Sequence, residues 1–331
     1  MRSLLQVVAY AIQSVAPPFP VFVVAYAISG AGIALQEAQA SGFIATLTTR
    51  TEAKMGVIHA CFGLGAFLAP LLATRFAQLN REWSFFFVIS LGFAVVNTLL
   101  LTTVFRLRSR DRCLAEIGEP VDATCCPVGD KGHDDLQSHG SFARIFENRN
   151  VHLMAAFLFV YVGVEATIGG WMVTFMERER LDDPYAGYAG YVSSGFFGGL
   201  ALGTIALLWF NSLVGERYAP LMYAVLALGL EIIVWLVPSF IGGAVAVSII
   251  GFLLGPIYPI TMNHAGRTLS RGILSGCLGW IAGFGQAGSA VFPFMTGVLA
   301  GKFGIDSLQP LLISMIIFMM ALWIVINVAS R

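Results

Sequence analysis

The sequence predicts an all-α membrane protein that crosses a bilayer about ten times, and three observations carry that prediction. Apolar residues fill 57% of the 331 positions and charged residues only 11%, less than half of the roughly one quarter that keeps a soluble domain hydrated. The apolar residues gather into ten stretches, most of them close to the ~20 residues a helix needs to span a bilayer core. The cations between those stretches fall unevenly, as they do when one side of the chain faces the cytoplasm. Mean hydropathy is +0.79. The formal net charge is zero, so there is no basic surface to attract nucleic acid.

In chain order the stretches cover about 4–16, 20–46, 54–74, 84–105, 150–176, 187–212, 219–237, 240–262, 273–300 and 308–329. Arg2 and the apolar run after it resemble the start of a signal peptide. No small-x-small cleavage site precedes the turn Pro17-Pro18-Phe19-Pro20, however, so 4–16 reads as a short membrane helix whose start would lie upstream of Met1. The polar segment 107–149, rich in Arg, Asp, Gly and Cys, reads as a flexible linker. It divides a four-helix bundle, 1–106, from a six-helix bundle, 150–331. The five cysteines show no metal-ligand spacing, and neither a metal nor a cofactor is expected. Cys125-Cys126 would suit palmitoylation on a cytoplasmic loop, although unmodified thiols are the simpler reading.

Orientation follows from the 19 Lys and Arg. With the N-terminus in the cytoplasm, only Arg75, Arg81, Arg178, Arg180 and Lys302 fall outside, and the other fourteen, including those of the linker, fall inside.

Transporters often carry weak internal repeats, and this chain has one. Gly30–Arg50 (GAGIALQEAQASGFIATLTTR) aligns with Gly251–Arg271 (GFLLGPIYPITMNHAGRTLSR) at a shift of about 221. The pairs Gly65/Gly288 and Pro70/Pro293 align at 223. Under this shift, 219–237 maps onto the first helix, while 150–176 and 187–212 map before residue 1. The expectation is a 4+6 version of a 6+6 architecture.

The segments LQEAQASGF (Leu35–Phe43), GVIHACFGLGAFLAP (Gly56–Pro70), YVGVEATIGGW (Tyr161–Trp171) and FGQAGSAVFPFMTG (Phe284–Gly297) carry a resemblance to the major facilitator superfamily, and within it to the fucose/proton symporters and related fungal permeases. The resemblance covers the chain apart from the linker. It implies the twelve-helix major facilitator fold with the first two helices missing, among them one that lines the family's cavity. It also implies alternating access between two bundles. The family's Gly-Asp-Arg-type signature has a candidate second-half echo in Gly215-Glu216-Arg217, which reads equally well as an ordinary charged turn.

Three acids lie in apolar helices: Glu37, Glu165 and Glu231. A charge at the bilayer centre costs at least about 2.5–3.5 kcal/mol, so such a residue faces a cavity or a partner. A carboxyl group that is alternately dry and wet can bind and release a proton. The resemblance implies that role for Glu37, because the symporters place a proton-handling glutamate in a Leu-Glu-x-x-x-Asn-Pro-Phe segment. Here Glu37 and Phe43 match, whereas Ser41 and Gly42 replace Asn and Pro. Gln36 and Gln39 add amides nearby, although one helix cannot aim all three side chains alike.

Glu165 sits in the helix equivalent to the family's seventh, one turn after Tyr161 and on its face. Gly169-Gly170 permits close packing, and Trp171 offers a surface for a ring or an interfacial anchor. Glu231, on a helix peripheral in the family, calls for a partner on a neighbouring helix. His59 could relay protons or bond two helices together. Tyr258 between Pro256 and Pro259, then Asn263 and Gln286, complete the candidate ligand contacts. The glycines Gly56/Gly63/Gly65 and Gly283/Gly285/Gly288 suit sliding contacts between halves.

The expected function is secondary transport of a small polar solute such as a sugar, driven by protons, in a monomer embedded in the plasma or an internal membrane. The alternative is a truncated, non-transporting or regulatory relative. An enzyme is not expected, since no His-Glu-x-x-His, Gly-x-Ser-x-Gly or phosphate-binding loop occurs.

Overall fold

Apolar runs punctuated by prolines and polar turns become helices in the computed structural model, which describes residues 2–45, 51–77, 83–106, 108, 112–113, 116, 146–179, 188–269 and 274–329. The regular structure among them is entirely helical. We number the helices α1 (Arg2–Ser14), α2 (Phe19–Ala45), α3 (Thr51–Ala77), α4 (Phe85–Phe105), α5 (Arg149–Glu179), α6 (Gly190–Ala206), α7 (Leu208–Val214), α8 (Ala219–Leu236), α9 (Phe240–Leu254), α10 (Ile257–Thr268), α11 (Leu274–Phe303) and α12 (Leu308–Ala329), with a 3₁₀ turn at Ile305–Ser307. Most of the 107–149 segment, including Cys125-Cys126, lies outside the described residues.

Six of the described spans are long and apolar enough to cross a membrane: Phe19–Glu37, Phe85–Phe105, Arg149–Glu179, Ala219–Leu236, Phe240–Thr268 and Ile305–Ala329. The protein is an integral, multi-pass membrane protein. Helix α1 is 13 residues long, about 20 Å at 1.5 Å per residue, and so is short of a full span.

Two expected stretches are interrupted. The 187–212 stretch breaks at Leu207 into α6 and α7, and the 240–262 stretch breaks at Gly255-Pro256 into α9 and α10. The second break has a clear cause. Pro256 and Pro259 lack N–H groups, so the carbonyls of Phe252 and Gly255 lose their helical donors. The Thr204 hydroxyl lies between two carbonyls, 2.8 Å from that of Leu200 on its own helix and 3.0 Å from that of Gly255, and its one proton is shared between them. Neighbours thus repair what proline removes, as a membrane interior requires.

The chain divides into two compact units, Met1–Phe62 with Leu72–Val128, and Gly63–Leu71 with Gly129–Arg331. In the first, α1 packs on α2 and α4. Phe22, Tyr26, Trp83 and Phe87 meet edge-to-face at one end, and Asn97 of α4 donates to the Gln36 side-chain oxygen of α2 at 2.9 Å. In the second, α5 is the central helix, buried through Val151, Met154, Phe157, Leu158, Tyr161, Ile168 and Met172, with α11, α12 and α6 around it.

Element bounds sharpen the repeat. Ala45 and Thr268 end α2 and α10, Thr51 and Leu274 begin α3 and α11, and Phe85 and Leu308 begin α4 and α12, each pair 223 residues apart. The packings match as well: α1 on α2 and α4 in one unit corresponds to α8 on α9 and α12 in the other.

Glycines set the closest approaches in the second unit. A Cβ on Gly288 would lie 1.9 Å from the Phe159 carbonyl oxygen, and one on Gly285 3.0 Å from Leu158. These glycines therefore serve the α5–α11 contact inside one unit, which corrects the expectation that they line a surface between halves. Gly283 and Gly65 meet nothing within 4 Å.

Glu231 also departs from expectation. It is 0% exposed, yet neither carboxyl oxygen has a hydrogen-bond partner among the described residues. Helices α9 and α12, on which α8 mainly packs, carry no ionisable side chain, and α10, which it touches less, carries His264 and Arg267. A buried polar group without a partner costs about 1–3 kcal/mol. Glu231→Met, which keeps the volume and removes the polar atoms, is therefore expected to raise the thermal unfolding midpoint in detergent. A midpoint lowered by several degrees would show that the acid is partnered in the native protein.

Candidate functional site

The densest group of polar side chains named by the sequence lies where α5 passes the α9–α10 break. Tyr161 and Glu165, four residues apart, share one face of α5. Tyr161 is 1% exposed, and its hydroxyl donates to the Leu254 carbonyl at 3.1 Å. Leu254 is the last residue of α9. Glu165 is half-buried and stands one helical turn after Tyr161 on α5, so its carboxyl group neighbours the same phenol. Tyr258, the second residue of α10, is half-buried just beyond the break.

The group sets a phenol beside a carboxyl group. A phenol has one O–H to donate, and Tyr161 commits it to Leu254, so a hydrogen bond between Tyr161 and Glu165 must then be donated by a protonated Glu165. The break exists because of prolines, and the tyrosine reaches it because α5 is the packed centre of its unit.

The other named residues of the second unit stand apart from this group. Trp171 is half-buried, its indole N–H donates to the Pro293 carbonyl at 3.0 Å, and a Cβ on Gly297 would touch its ring at 3.1 Å. Its polar edge thus ties α5 to α11. Asn263 on α10 and Gln286 on α11 are exposed. Gly215-Glu216-Arg217 forms a turn with Gly215 at φ +86°, a conformation that suits glycine. The Arg217 guanidinium donates to the Asn327 carbonyl at 2.9 Å, and the Trp323 indole donates to the Arg217 carbonyl at 2.9 Å. Glu216 pairs with Arg267 at 3.4 Å.

In the first unit Glu37 and Gln39 are exposed on α2, while Gln36 is partly buried by its bond from Asn97. His59 belongs to α3, but its side chain lies outside the described ones. A cavity of about 300 Å³ lies between α1 and α4, lined by Gln6, Tyr10, Ser90, Phe93, Ala94 and Asn97. Sequence reasoning missed Gln6 and Asn97. The signal was available, since an uncharged amide in the middle of an apolar helix wants a partner as an acid does. Two buried hydroxyls, Thr167 and Ser194, also went unread. Neither has a hydrogen-bond partner among the described residues.

Comparison with known proteins places this geometry. A model of the Major Facilitator Superfamily matches residues 3–293. The Saccharomyces cerevisiae (strain ATCC 204508 / S288c) protein named Bypass of stop codon protein 6 is 24% identical over 303 residues, taking in 84% of this chain and 58% of that protein. The chain thus spans less than two thirds of that relative's length. Among solved structures, the E. coli fucose:proton symporter superposes with a TM-score of 0.65 at 15% identity, over 100% of this chain and 82% of that one. The human organic anion transporter TETRAN gives 0.65 at 16%, over 97% and 75%. A bacterial homologue of the human lysosomal transporter Spinster, inward-facing and unoccupied, gives 0.70 at 12%, over 100% and 83%.

Proposed function

The chain belongs to the major facilitator superfamily, and from that premise we propose that it carries a small polar solute across a membrane together with protons. The observation that carries the reading is the Tyr161–Glu165 pair at the α9–α10 break. It sets an ionisable group among buried apolar neighbours with a polar contact of its own. Such a group costs several kcal/mol as a bare charge in hydrocarbon and little as a neutral acid. A carboxyl group that meets water on one side of the membrane and then the other would carry one proton per cycle.

The solute class is proposed more narrowly as a sugar or similar polyol. The support is chemical: the exposed amides Gln39, Asn263 and Gln286 can both donate to and accept from hydroxyls. The likeness to the fucose:proton symporter is one of fold. The two bundles would alternate access to the solute, each moving largely as a body.

The test is uptake into proteoliposomes from a panel of labelled sugars, nucleosides and organic anions, with the outside acidified and a protonophore as control. At least one solute is expected to accumulate, and the protonophore to erase the accumulation. In Glu165→Gln, which cannot ionise, acid-driven accumulation of that solute is expected to fall at least tenfold. Accumulation that ignores the protonophore would refute proton coupling, and a panel with no transported solute would refute carriage of these classes.

A further inference from the structure

Three groups of side chains remain after the fold and the site are described: the α1–α4 cavity, the buried Glu231, and the hydroxyls at the α9–α10 break. The last carries an inference, because there a single hydrogen-bond donor faces two acceptors of different kinds.

We propose that Tyr161 is a positioning residue that couples the protonation of Glu165 to the mobility of the α9–α10 break. The proposal rests on Glu165 being a proton-binding group, as proposed above. Tyr161 has one hydroxyl proton. In the arrangement described here it goes to the Leu254 carbonyl at 3.1 Å, and a protonated Glu165 can donate to the phenol oxygen. When Glu165 releases its proton to water, the carboxylate becomes an acceptor only. A hydrogen bond to a charged acceptor is roughly twice as strong as one to a neutral carbonyl, so Tyr161 turns its proton to Glu165. The covalent O–H of Tyr161 stays intact in this step, and its hydrogen bond to Leu254 is exchanged for one to Glu165. Only its direction changes, and the proton that leaves is that of Glu165.

Leu254 then loses a buried donor at a place where the backbone is already short of bonds. Pro256 and Pro259 have removed the helical donors of Phe252 and Gly255. Gly255 keeps a share of the Thr204 hydroxyl, at 3.0 Å against 2.8 Å to the Leu200 carbonyl, whereas the Phe252 carbonyl lies against Gly203, which offers no polar side chain. Release of Tyr161 removes one of the two hydroxyls bracing the break, and the α10 end becomes free to swing.

Other titratable groups near α5 do not confuse the assignment. Tyr258 of α10 is a phenol and stays neutral across the pH range that titrates a carboxyl group. Helices α9 and α12 carry no ionisable side chain. The remaining ones on elements packed against α5 sit near element ends or in the turn: Tyr191 on α6, His264 and Arg267 on α10, Cys277 and Lys302 on α11, and Asp306 in the 3₁₀ turn.

The experiment is amide hydrogen exchange on the whole chain in lipid nanodiscs without solute, across pH 5–8, with rates corrected for intrinsic exchange at each pH. In the parent protein, protection of residues 255–262 should fall about three- to tenfold as pH rises, the range set by loss of one ordinary hydrogen bond. Residues 240–247 should not change. Tyr161→Phe should lose the pH step and exchange at the fast level throughout. Glu165→Gln should also lose it, at the slow level. Thr204→Val, which removes the other brace, should shift protection at every pH yet keep the step. A step that survives in Tyr161→Phe, or a parent without one, overturns the proposal. If Tyr161→Phe does not fold, a step that survives in Glu165→Gln overturns it equally. Because neither solute nor gradient is present, a step without acid-driven uptake sinks the carrier reading alone, and uptake without a step sinks this proposal alone.

Discussion

Glu37→Gln is expected to abolish acid-driven accumulation of the transported solute while leaving solute exchange across the membrane intact. The substitution keeps size and hydrogen-bonding capacity but removes the only chemistry an amide lacks, which is reversible loss of a proton. Accumulation against a gradient needs that chemistry, whereas exchange of labelled for unlabelled solute does not. Local geometry supports a role outside the unit's own packing. Gln36 points inward and accepts from Asn97; Glu37, one residue on, is exposed on α2. Successive residues on a helix point about 100° apart, so the amide fastens α2 to α4 while the acid remains available. The check is a paired measurement in one preparation of vesicles, accumulation under an acid gradient beside counterflow at equal pH. Unchanged accumulation removes Glu37 from the coupling path and leaves Glu165 and His59 as the candidates. Loss of both accumulation and counterflow would mean that Glu37 holds solute or structure instead.

Much of this protein was legible in its sequence, for a reason rooted in the solvent. Lipid forbids unpaired backbone groups, so apolar runs of sufficient length become helices with few alternatives. The 223-residue repeat, first glimpsed in Pro70/Pro293 and Gly65/Gly288, reappears in the bounds of α2–α4 and α10–α12 because equivalent turns stop equivalent helices. Tyr161 and Glu165 share a face because four residues make about one turn.

What stayed hidden depends on distance in the chain. Nothing local says that the Tyr161 hydroxyl reaches Leu254, 93 residues away, or that Trp171 spends its N–H on Pro293. Glu231 misled for the opposite reason. The rule that buried acids have partners is sound on average, yet α9 and α12 offer it none. Gly285 and Gly288 were read for the right property and the wrong surface, because smallness shows in sequence while the facing helix does not.

Gly203→Ala is expected to destabilise the second unit by about 1–3 kcal/mol or more, the cost of overpacking a filled contact, whereas Gly229→Ala is expected to be neutral or slightly stabilising. Both glycines lie within helices, α6 and α8. On propensity alone, alanine should favour either helix by about 0.5–1 kcal/mol. Their surroundings decide the sign. A Cβ on Gly229 meets nothing within 4 Å, but one on Gly203 would stand 1.9 Å from the Phe252 carbonyl oxygen and 2.6 Å from its carbon. Those are backbone atoms, so no rotamer change relieves the clash, and α6 and α9 must separate. Separation is costly here because Gly199, Gly251 and Gly255 make the same kind of contact along the same crossing, where a Cβ on each would lie within 2.3 Å of an opposing carbonyl oxygen. Small residues are what let membrane helices approach closely enough to pack. Pushing one rung apart loosens the others, along with the Thr204 bond to Gly255. Thermal unfolding of the two variants in one detergent checks the contrast, with Gly203→Ala unfolding several degrees below Gly229→Ala. Equal midpoints would mean that α6 and α9 lie further apart than the glycine ladder implies, and the brace at the α9–α10 break would then lose its footing.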